Sequence, residues 1–288
     1  MDAKQLKWFY LLLLSLIWGS SFILIKRGLV GLTAIQVGSL RIIFAALFLL
    51  IIGFSSLKKI SRRQWKFIAL TSVFGTFIPA FFFAIAETQV DSSMVAILNS
   101  LTPLNTLILG IIVFGIQFQK RQVICVFIGL VGCLLLVLNG DSSRSDQNYY
   151  YLILVVVATL CYAINVNLIK KYLSDLNSLS ITTGNFAVLL LPALVILSTT
   201  DFTQRIHFEA AEHSILFVAV LGVLGTGIAN VLFFKLIQMS SPVFATSVTY
   251  LIPIVAFFWG LLDNEMLTPI QFFGAFVILI GVYLSAKK

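Results

Sequence analysis

Two prolines occupy matching places in two long apolar stretches of the chain, and polar residues surround both. Pro103 and Pro253 are 150 residues apart. Proline clashes with the carbonyl four residues before it, so each should kink its helix and free the carbonyl of Asn99 or Thr249. The polar side chains close to them in sequence are those of Asn99, Ser100, Ser247 and Tyr250. These groups could hydrogen-bond a small solute, while kinks that serve only helix packing are the alternative; Pro79 is a third candidate for bending during gating.

A second mirrored pair of residues is aromatic. Trp18 and Tyr162 lie near the middle of apolar stretches, too deep for the aromatic belt at a membrane interface. A large ring with a polar group can line or close a solute cavity, and core packing is an equally good explanation. Asn165 and Asn230 lie at similar depth, where amides are expensive in lipid and face the interior of a helix bundle. All four are candidate solute contacts, with helix–helix hydrogen bonds as the alternative for the amides.

Arg41 is the only fully charged residue well inside an apolar stretch. A cation near the centre of a membrane helix costs roughly 2.5–3.5 kcal/mol on insertion scales. One interpretation is that Arg41 contacts a carboxylate of the solute. We favour the other, a structural ion pair with Glu87 or Asp91 at the end of the next apolar stretch.

The composition excludes an ordinary soluble domain. Of the 288 residues, 60% are hydrophobic and 10% are charged, whereas soluble proteins have about 25% charged residues. The three cysteines lack metal-ligand spacing, and the two histidines lie in an acidic loop where solvation explains them better than a metal site. No nucleophile elbow, His-Glu-x-x-His motif or phosphate-binding loop occurs. The sequence therefore predicts no catalytic residues, no metal and no cofactor.

Ten apolar stretches are long enough to cross a membrane as helices, which takes about 20 residues. They cover residues 7–27, 34–54, 66–86, 93–114, 121–139, 149–169, 181–199, 214–237, 242–262 and 269–286. With the N-terminus in the cytoplasm, fourteen of the nineteen Lys and Arg residues, but only two of the eleven acids, fall on the cytoplasmic side. The positive-inside rule then predicts a multi-pass protein of the inner or plasma membrane with both termini in the cytoplasm. The net charge of +8 reflects this orientation and not nucleic-acid binding.

The chain also repeats itself at a nearly constant offset. Residues 18–27 align with residues 162–171 at an offset of 144. Later matches are Gly75 with Gly225, Thr76 with Thr226 and Pro103 with Pro253 at 150, and Gly132 with Gly281 at 149. Each half holds five spans, an odd number, so the second half enters the membrane from the opposite side. The sequence predicts an all-α membrane protein of two inverted five-helix repeats, residues 7–140 and 149–286, a plan used by secondary transporters.

Three motifs accompany this layout. They are the opening Trp18-Gly19-Ser20-Ser21-Phe22, the two Leu-x-Pro segments, and the ending Glu265-Met266-Leu267-Thr268-Pro269-Ile270-Gln271-Phe272-Phe273-Gly274 followed by Gly281. Together they resemble the EamA family of the drug/metabolite transporter superfamily, over essentially the whole chain. The resemblance implies export of amino acids or similar small metabolites by alternating access at a midplane cavity. The family usually has a Glu after the fourth span as well; this chain has Gln117 in that region, so a role that needs both acids is not expected.

The expected partners are a small-molecule solute and the lipid bilayer. Glycine faces on the last span of each half suit either peripheral packing or a homodimer. A different solute class, drug-like or phosphorylated, is the alternative, although the scarcity of cations within the spans argues against sugar phosphates. An intramembrane enzyme or a scaffold is less favoured. Coupling to protons is left open, because no acid lies in the middle of a span.

Overall fold

The computed structural model describes residues 2–90, 92–137, 148–206, 208–262 and 269–286. In this part of the chain the α-helices are α1 (Ala3–Gly28), α2 (Ala34–Gly53), α3 (Arg62–Ser72), α4 (Ile78–Ala86), α5 (Ser92–Asn99), α6 (Thr102–Ile112), α7 (Lys120–Val137), α8 (Leu152–Tyr172), α9 (Ser178–Ser198), α10 (Phe202–Arg205), α11 (Glu209–Val220), α12 (Ala229–Met239), α13 (Pro242–Thr246), α14 (Val248–Leu262) and α15 (Pro269–Ala286). The remaining helical turns are short, and the described residues contain no strand. Glu265 of the C-terminal motif, His207 and the predicted boundary at residue 140 lie outside the described residues.

Side-chain caps fix where three of the long helices begin. The side chains of Asp2, Thr33 and Ser61 each accept a hydrogen bond from the backbone N–H three residues later. That residue is a glutamine in all three cases, and its side-chain oxygen in turn accepts a hydrogen bond from the backbone N–H of the capping residue. These capping boxes satisfy N–H groups that a helix start would otherwise leave unpaired. The helices therefore begin in the polar gaps of the sequence.

The outer surface of the bundle is apolar. Ile51, Ile112 and Leu191 are 83%, 76% and 70% exposed, and a contiguous surface of this kind suits lipid better than water. Among the described residues, seven helical segments have the length and composition to cross a membrane. The protein is therefore an all-helical polytopic membrane protein. The other three predicted spans coincide with α7, the α13–α14 segment and α15.

Two of the long helices contain π-helical turns near their middle. Val73–Phe77 joins α3 to α4, and Leu221–Ile228 joins α11 to α12. Such turns are rare and often occur at functional sites. A Cβ atom on Gly75 would lie 2.5 Å from Cγ of Asn165, and one on Gly225 would lie 2.8 Å from Oγ of Ser21. The glycines thus let α8 pack closely against the first π turn and α1 pack closely against the second.

Helices α7 and α15 pair along their glycines. A Cβ atom on Gly132 would lie 2.9 Å from the Gly274 carbonyl oxygen, and one on Gly281 would lie 2.9 Å from the backbone nitrogen of Gly129. Backbones this close tolerate no larger residue without movement. The sequence left helix packing and a dimer contact as alternatives for these glycine faces. In the structure they pack against each other within one chain.

The largest buried apolar cluster fills the end of the bundle where α1 begins. It includes Leu11 and Leu14 of α1, Ile169 and Leu173 of α8, and Phe244 of α13. Lys7 lies over the Phe244 ring, with its ammonium 5.0 Å from the ring centroid. This end of the bundle is tightly packed, and the open space lies further along α1.

Candidate solute cavity

A cavity of about 80 Å³ lies at the middle of the bundle, between α1, α2, α8 and the interrupted helices. It can hold several water molecules, since one needs about 10–15 Å³. Its described wall consists of Trp18, Ser21, Phe22, Ile25, Arg41, Gly75, Thr76, Ala80, Phe83, Asn99, Thr102, Tyr162, Asn165, Gly225, Thr226, Asn230, Phe233, Thr246, Thr249 and Ile252. Along α1 the wall runs from Trp18 to Ile25, so the cavity extends away from the apolar cluster.

Trp18 is held in the wall by its indole group. Its Nε1–H donates to the Gly225 carbonyl oxygen at 2.9 Å, and its ring meets Phe233 edge-on at 5.0 Å. The Gly225 carbonyl belongs to the π-helical turn, where the regular backbone ladder is interrupted. The turn thus positions an aromatic face on the cavity.

Tyr162, the repeat counterpart of Trp18, lines the same cavity. Its ring stacks with Phe83 at 5.9 Å, and Phe83 meets Phe22 edge-on at 6.4 Å. Both members of the mirrored aromatic pair therefore face one shared space, and their neighbours extend it into an aromatic wall.

Amide and hydroxyl groups supply the polar part of the wall. Asn165 is 2% exposed, and its Oδ1 atom has no hydrogen-bond partner in the described part of the chain. The same holds for Oγ1 of Thr76. A buried polar atom left without a partner costs about 1–3 kcal/mol, so these two atoms are available to a polar ligand. Asn99 and Asn230 also line the cavity.

Arg41 lies on the cavity wall and not in the predicted ion pair with Glu87. Its Nε–H donates to Oγ1 of Thr226 at 2.6 Å, and Thr226 lies in the π-helical turn. Over the described residues Arg41 and Glu87 make no ion pair within 4.0 Å. Glu87 instead accepts a hydrogen bond from Oγ of Ser92 at 3.1 Å. The predicted pair with Glu87 is wrong, because the π turn places Thr226 within reach of the guanidinium; Asp91 lies outside the described residues.

Arg41 is also the only charged side chain on the described wall. The described residues contain no group of three or more His, Cys, Asp or Glu side chains that could hold a metal ion. The cavity is therefore weakly basic, aromatic and rich in amides and hydroxyls.

The break in the first proline helix separates α5 from α6. Pro103 lies in the first turn of α6, and the Asn99 carbonyl oxygen that it frees accepts a hydrogen bond from Oγ1 of Thr102 at 2.7 Å. A carbonyl oxygen has two lone pairs, so Asn99 keeps one acceptor site. Pro79 likewise begins a helix, α4, directly after a π-helical turn.

The second proline lies within a helix. Pro253 is inside α14, and the Thr249 carbonyl oxygen that it frees accepts a hydrogen bond from Oγ of Ser100 at 3.3 Å. Ser100 is fully buried and does not line the cavity. Its predicted contact with solute is therefore corrected to a hydrogen bond between the two proline helices.

Two further predicted solute contacts also lie off the cavity. The Ser247 hydroxyl donates to the Phe244 carbonyl oxygen at 2.7 Å, which is a bond within its own segment. The Tyr250 hydroxyl donates to the Val126 carbonyl oxygen at 2.9 Å, and its ring lies against Gly129 of α7. Both side chains are satisfied in the protein interior, so neither contacts solute in this conformation.

Part of the cavity wall was not predicted from the sequence. Phe22, Phe83 and Phe233 are indistinguishable in sequence from the many other phenylalanines of the spans. Thr246 resembles any hydroxyl that bonds back to its own helix. Ser21 could have been predicted as a wall residue, since it aligns with Asn165 at the repeat offset of 144.

The comparisons with known proteins agree with this arrangement. The sequence profile of the EamA-like transporter family matches residues 6–138 and, a second time, residues 149–287. The chain belongs to the EamA-like transporter family. This EamA-like protein is therefore a membrane transporter, and its apolar helices make it a multi-pass protein of the cell membrane.

Three relatives are about equally similar to it. The uncharacterized inner membrane transporter YedA of Escherichia coli is 25% identical, over 94% of this chain and 87% of its own length. The S-adenosylmethionine/S-adenosylhomocysteine transporter of Chlamydia muridarum is 25% identical over 95% and 89%. The probable amino-acid metabolite efflux pump of Salmonella typhimurium is 25% identical over 96% and 93%.

One solved crystal structure of a protein shares the fold. It superposes with a TM-score of 0.73 over 98% of this chain and 95% of its own, at 12% identity. A likeness at this identity establishes the architecture of the EamA-like chain and not its solute.

Proposed function

We propose that this EamA-like protein is a secondary transporter that exports amino acids or related small metabolites by alternating access. The observation that carries the proposal is the central polar cavity, whose wall draws on both halves of the chain. Trp18, Arg41 and Asn99 come from the first half, and Tyr162 and Asn230 from the second. Secondary transporters built from repeats bind solute at such a place and expose it to each side in turn.

The proposed topology has ten spans, two inverted repeats of residues 7–140 and 149–286, and both termini in the cytoplasm. A pair of equivalent contacts supports it. Ser21 approaches Gly225, and Asn165 approaches Gly75. Because Ser21 aligns with Asn165 and Gly75 with Gly225, each contact is the image of the other when the halves are exchanged.

Alternating access requires the two ends of the bundle to close in turn, and two lysines at equivalent positions provide a means. Lys170 Nζ donates to the Ile237 and Ser240 carbonyl oxygens at the end of α12, at 3.2 and 2.7 Å. Its repeat counterpart, Lys26, is exposed and makes no ion pair within 4.0 Å with Glu87, the counterpart of Ile237. In the proposal the Lys170 end is cytoplasmic and closed here. The opposite conformation docks Lys26 against the end of α4 and releases Lys170.

The character of the wall supports the solute class. One cation, several amides and an aromatic wall suit a small solute with a single carboxylate, whereas phosphorylated metabolites call for clustered Lys or Arg. Two relatives are named for amino-acid metabolites and for S-adenosylmethionine, which itself contains an amino-acid group. We extend this shared chemistry to the present chain as part of the proposal.

Transport by the purified protein in proteoliposomes tests the proposal. Labelled amino acids are offered one at a time, with and without a pH gradient, and protein-free liposomes give the background. We expect at least one amino acid to cross faster than background, and a pH-gradient dependence separates proton coupling from facilitated diffusion. Failure of every solute under both conditions contradicts the transporter assignment.

A matched pair of variants connects transport to the cavity. Trp18→Ala removes an aromatic wall and the hydrogen bond to Gly225, so we expect transport to fall about tenfold or more, in line with the loss of one buried hydrogen bond and its packing. Lys235→Gln removes an exposed cation that does not line the cavity, and its transport should stay within about twofold of the unaltered protein. Equal effects of the two changes would contradict a site at this cavity.

A further inference from the structure

We infer that Arg41 is the residue that selects the solute, by binding its carboxylate group through the terminal nitrogens of the guanidinium. The inference rests on the proposed function and narrows it to solutes with one free carboxylate, such as α-amino acids. Four features of the cavity lead to it.

The first feature is the orientation of the guanidinium. Nε of Arg41 is the only atom of the side chain with a hydrogen bond in the described part of the chain, to Oγ1 of Thr226 at 2.6 Å. The Thr226 hydroxyl donates its own hydrogen bond to the Leu221 carbonyl oxygen at 3.1 Å, so toward Arg41 it acts as an acceptor. This bond anchors the base of the guanidinium and leaves the terminal N–H groups unused. Two terminal nitrogens can bind both oxygens of one carboxylate.

The second feature is the missing counterion. A cation at membrane depth is normally paired or faces a water-filled cavity. Arg41 lines the cavity and has no ion pair with any acid that the structure describes. Glu87 is 2% exposed and accepts a hydrogen bond from Ser92, and within the part of the chain that the structure describes it makes no ion pair with Arg41. A solute carboxylate would supply the absent counterion.

The third feature is the supply of acceptors for the other end of an amino acid. An α-ammonium group donates three hydrogen bonds and needs oxygen acceptors. Oδ1 of Asn165 and Oγ1 of Thr76 are buried on the same wall without partners in the described part of the chain. The Asn99 carbonyl oxygen keeps a second lone pair. The wall thus offers one cation for a carboxylate and neutral acceptors for an ammonium.

The fourth feature is the match between a single cation and a single negative charge. Among the described wall residues no Lys accompanies Arg41. A doubly charged phosphate would remain half compensated at membrane depth, which is costly. The rings of Trp18, Tyr162 and Phe83 give the remaining surface an apolar character that suits an amino-acid side chain.

Sets of compounds that differ only in the carboxylate test the inference. For each common amino acid, binding to the detergent-solubilised full chain is measured by thermal shift and by competition in proteoliposomes. The same measurements are made on its amide and on its decarboxylated amine. We expect every bound amino acid to lose about 10- to 100-fold in affinity when the carboxylate is replaced, as is typical for a charge-assisted hydrogen-bond pair.

Variants connect this preference to Arg41. Arg41→Gln should abolish the difference between acid and amide, whereas Arg41→Lys keeps the charge but not the two-pronged geometry and should retain part of it. Thr226→Val removes the anchor of Nε, together with the bond from Thr226 to the Leu221 carbonyl oxygen, and should weaken the preference while Arg41 remains. Lys235→Gln is the matched control for loss of a cation and should keep the full preference. Thermal unfolding without ligand shows which variants are folded.

The outcomes separate the inference from the function on which it rests. Amides or amines that bind as well as the acids overturn the role of Arg41 and leave the transporter assignment standing. An acid preference that persists unchanged in Arg41→Gln and Arg41→Lys also overturns the role of Arg41 and leaves the transporter assignment standing. Absence of transport for every compound contradicts the proposed function itself.

Discussion

At the scale of single residues, Gly75 controls where the Asn165 amide sits on the cavity wall. Any side chain at position 75 would place its Cβ 2.5 Å from Cγ of Asn165, well inside contact distance. At the equivalent place in the other half, Gly225 faces the smaller Ser21. In both contacts a glycine of a π-helical turn packs against a polar side chain, which is Asn165 in one and Ser21 in the other.

Gly75→Ala should disturb this contact. We expect the free energy of unfolding to fall by about 1–3 kcal/mol, as for other overpacked sites, and transport to slow because Asn165 is displaced. Asn165→Ser, added to Gly75→Ala, places on α8 the shorter side chain that Ser21 has on α1, and it should recover most of the lost stability. Denaturation in detergent measures both variants. An unaltered stability in Gly75→Ala would show that the α8 contact is looser than described.

Glu87 should make the stability of the protein depend on pH. It directly follows α4, outside the span that ends at Ala86. Burial raises the pKa of its carboxyl to about 8, despite the opposing effects of the Ser92 hydrogen bond and of Lys26 and Arg41. The stability that its protonated form contributes is complete below the ordinary pKa of 4.5 and is lost as the pH rises through about 8.

Thermal unfolding in detergent between pH 4.5 and 9 measures this dependence. Because Glu87→Gln stays neutral at every pH, its unfolding temperature should vary less with pH than that of the unaltered protein. Equal pH profiles for the two would contradict a buried, protonated Glu87.

At the scale of helices, the proposed cycle assigns to the two lysines at equivalent positions, Lys26 and Lys170, the control of which end of the bundle is open. In the proposed cycle, Lys170 holds the end of α12 when the cavity opens away from the cytoplasm, and Lys26 holds the end of α4 in the opposite state. A lysine bonded to the last carbonyls of a helix is favourable, because those groups carry partial negative charge. In the proposed cycle the two sets of bonds form in different states, so loss of either one should shift the balance of states.

Lys170→Gln and Lys26→Gln should therefore act in opposite directions. Ser21→Cys, in a chain whose three native cysteines are replaced by Ala, reports access to the cavity. Lys170→Gln should slow its reaction with a membrane-impermeant maleimide added outside, and Lys26→Gln should leave the reaction as fast or make it faster. A change in the same direction for both variants would contradict the exchange of the two lysines.

The helices also show what sequence reasoning can and cannot reach. Mirrored positions made Trp18 and Tyr162 candidate solute contacts, and both side chains line the cavity. The π-helical turns were not predicted, since Gly and Thr in the middle of a span do not distinguish a π turn from an α turn. Without these turns the sequence could not indicate that Thr226 lies within reach of Arg41. Side chains such as Tyr250 depend on which neighbour lies opposite, and spacing along one helix does not contain that information.

At the scale of the whole molecule, the proposed transport mechanism needs two similar halves that are packed in opposite senses. The family profile matches the chain twice, and the aromatic pair, the π-helical turns and the glycine contacts recur in both halves. The cavity lies where those halves meet. The largest apolar cluster and the Lys170 bonds lie at one end of the bundle, which is the closed end in the proposed cycle.

The membrane sidedness of Lys58 and Gln204 tests this central claim most directly. Both are exposed, and they follow the second span of each predicted repeat. Cysteines are placed at one position at a time in intact cells, with the native cysteines replaced, and are treated with a membrane-impermeant maleimide before and after permeabilisation. We predict that the cysteine at position 204 reacts from outside and the one at position 58 only after permeabilisation. Reaction of both from the same side would contradict inverted repeats and, with them, the proposed exchange about a shared cavity.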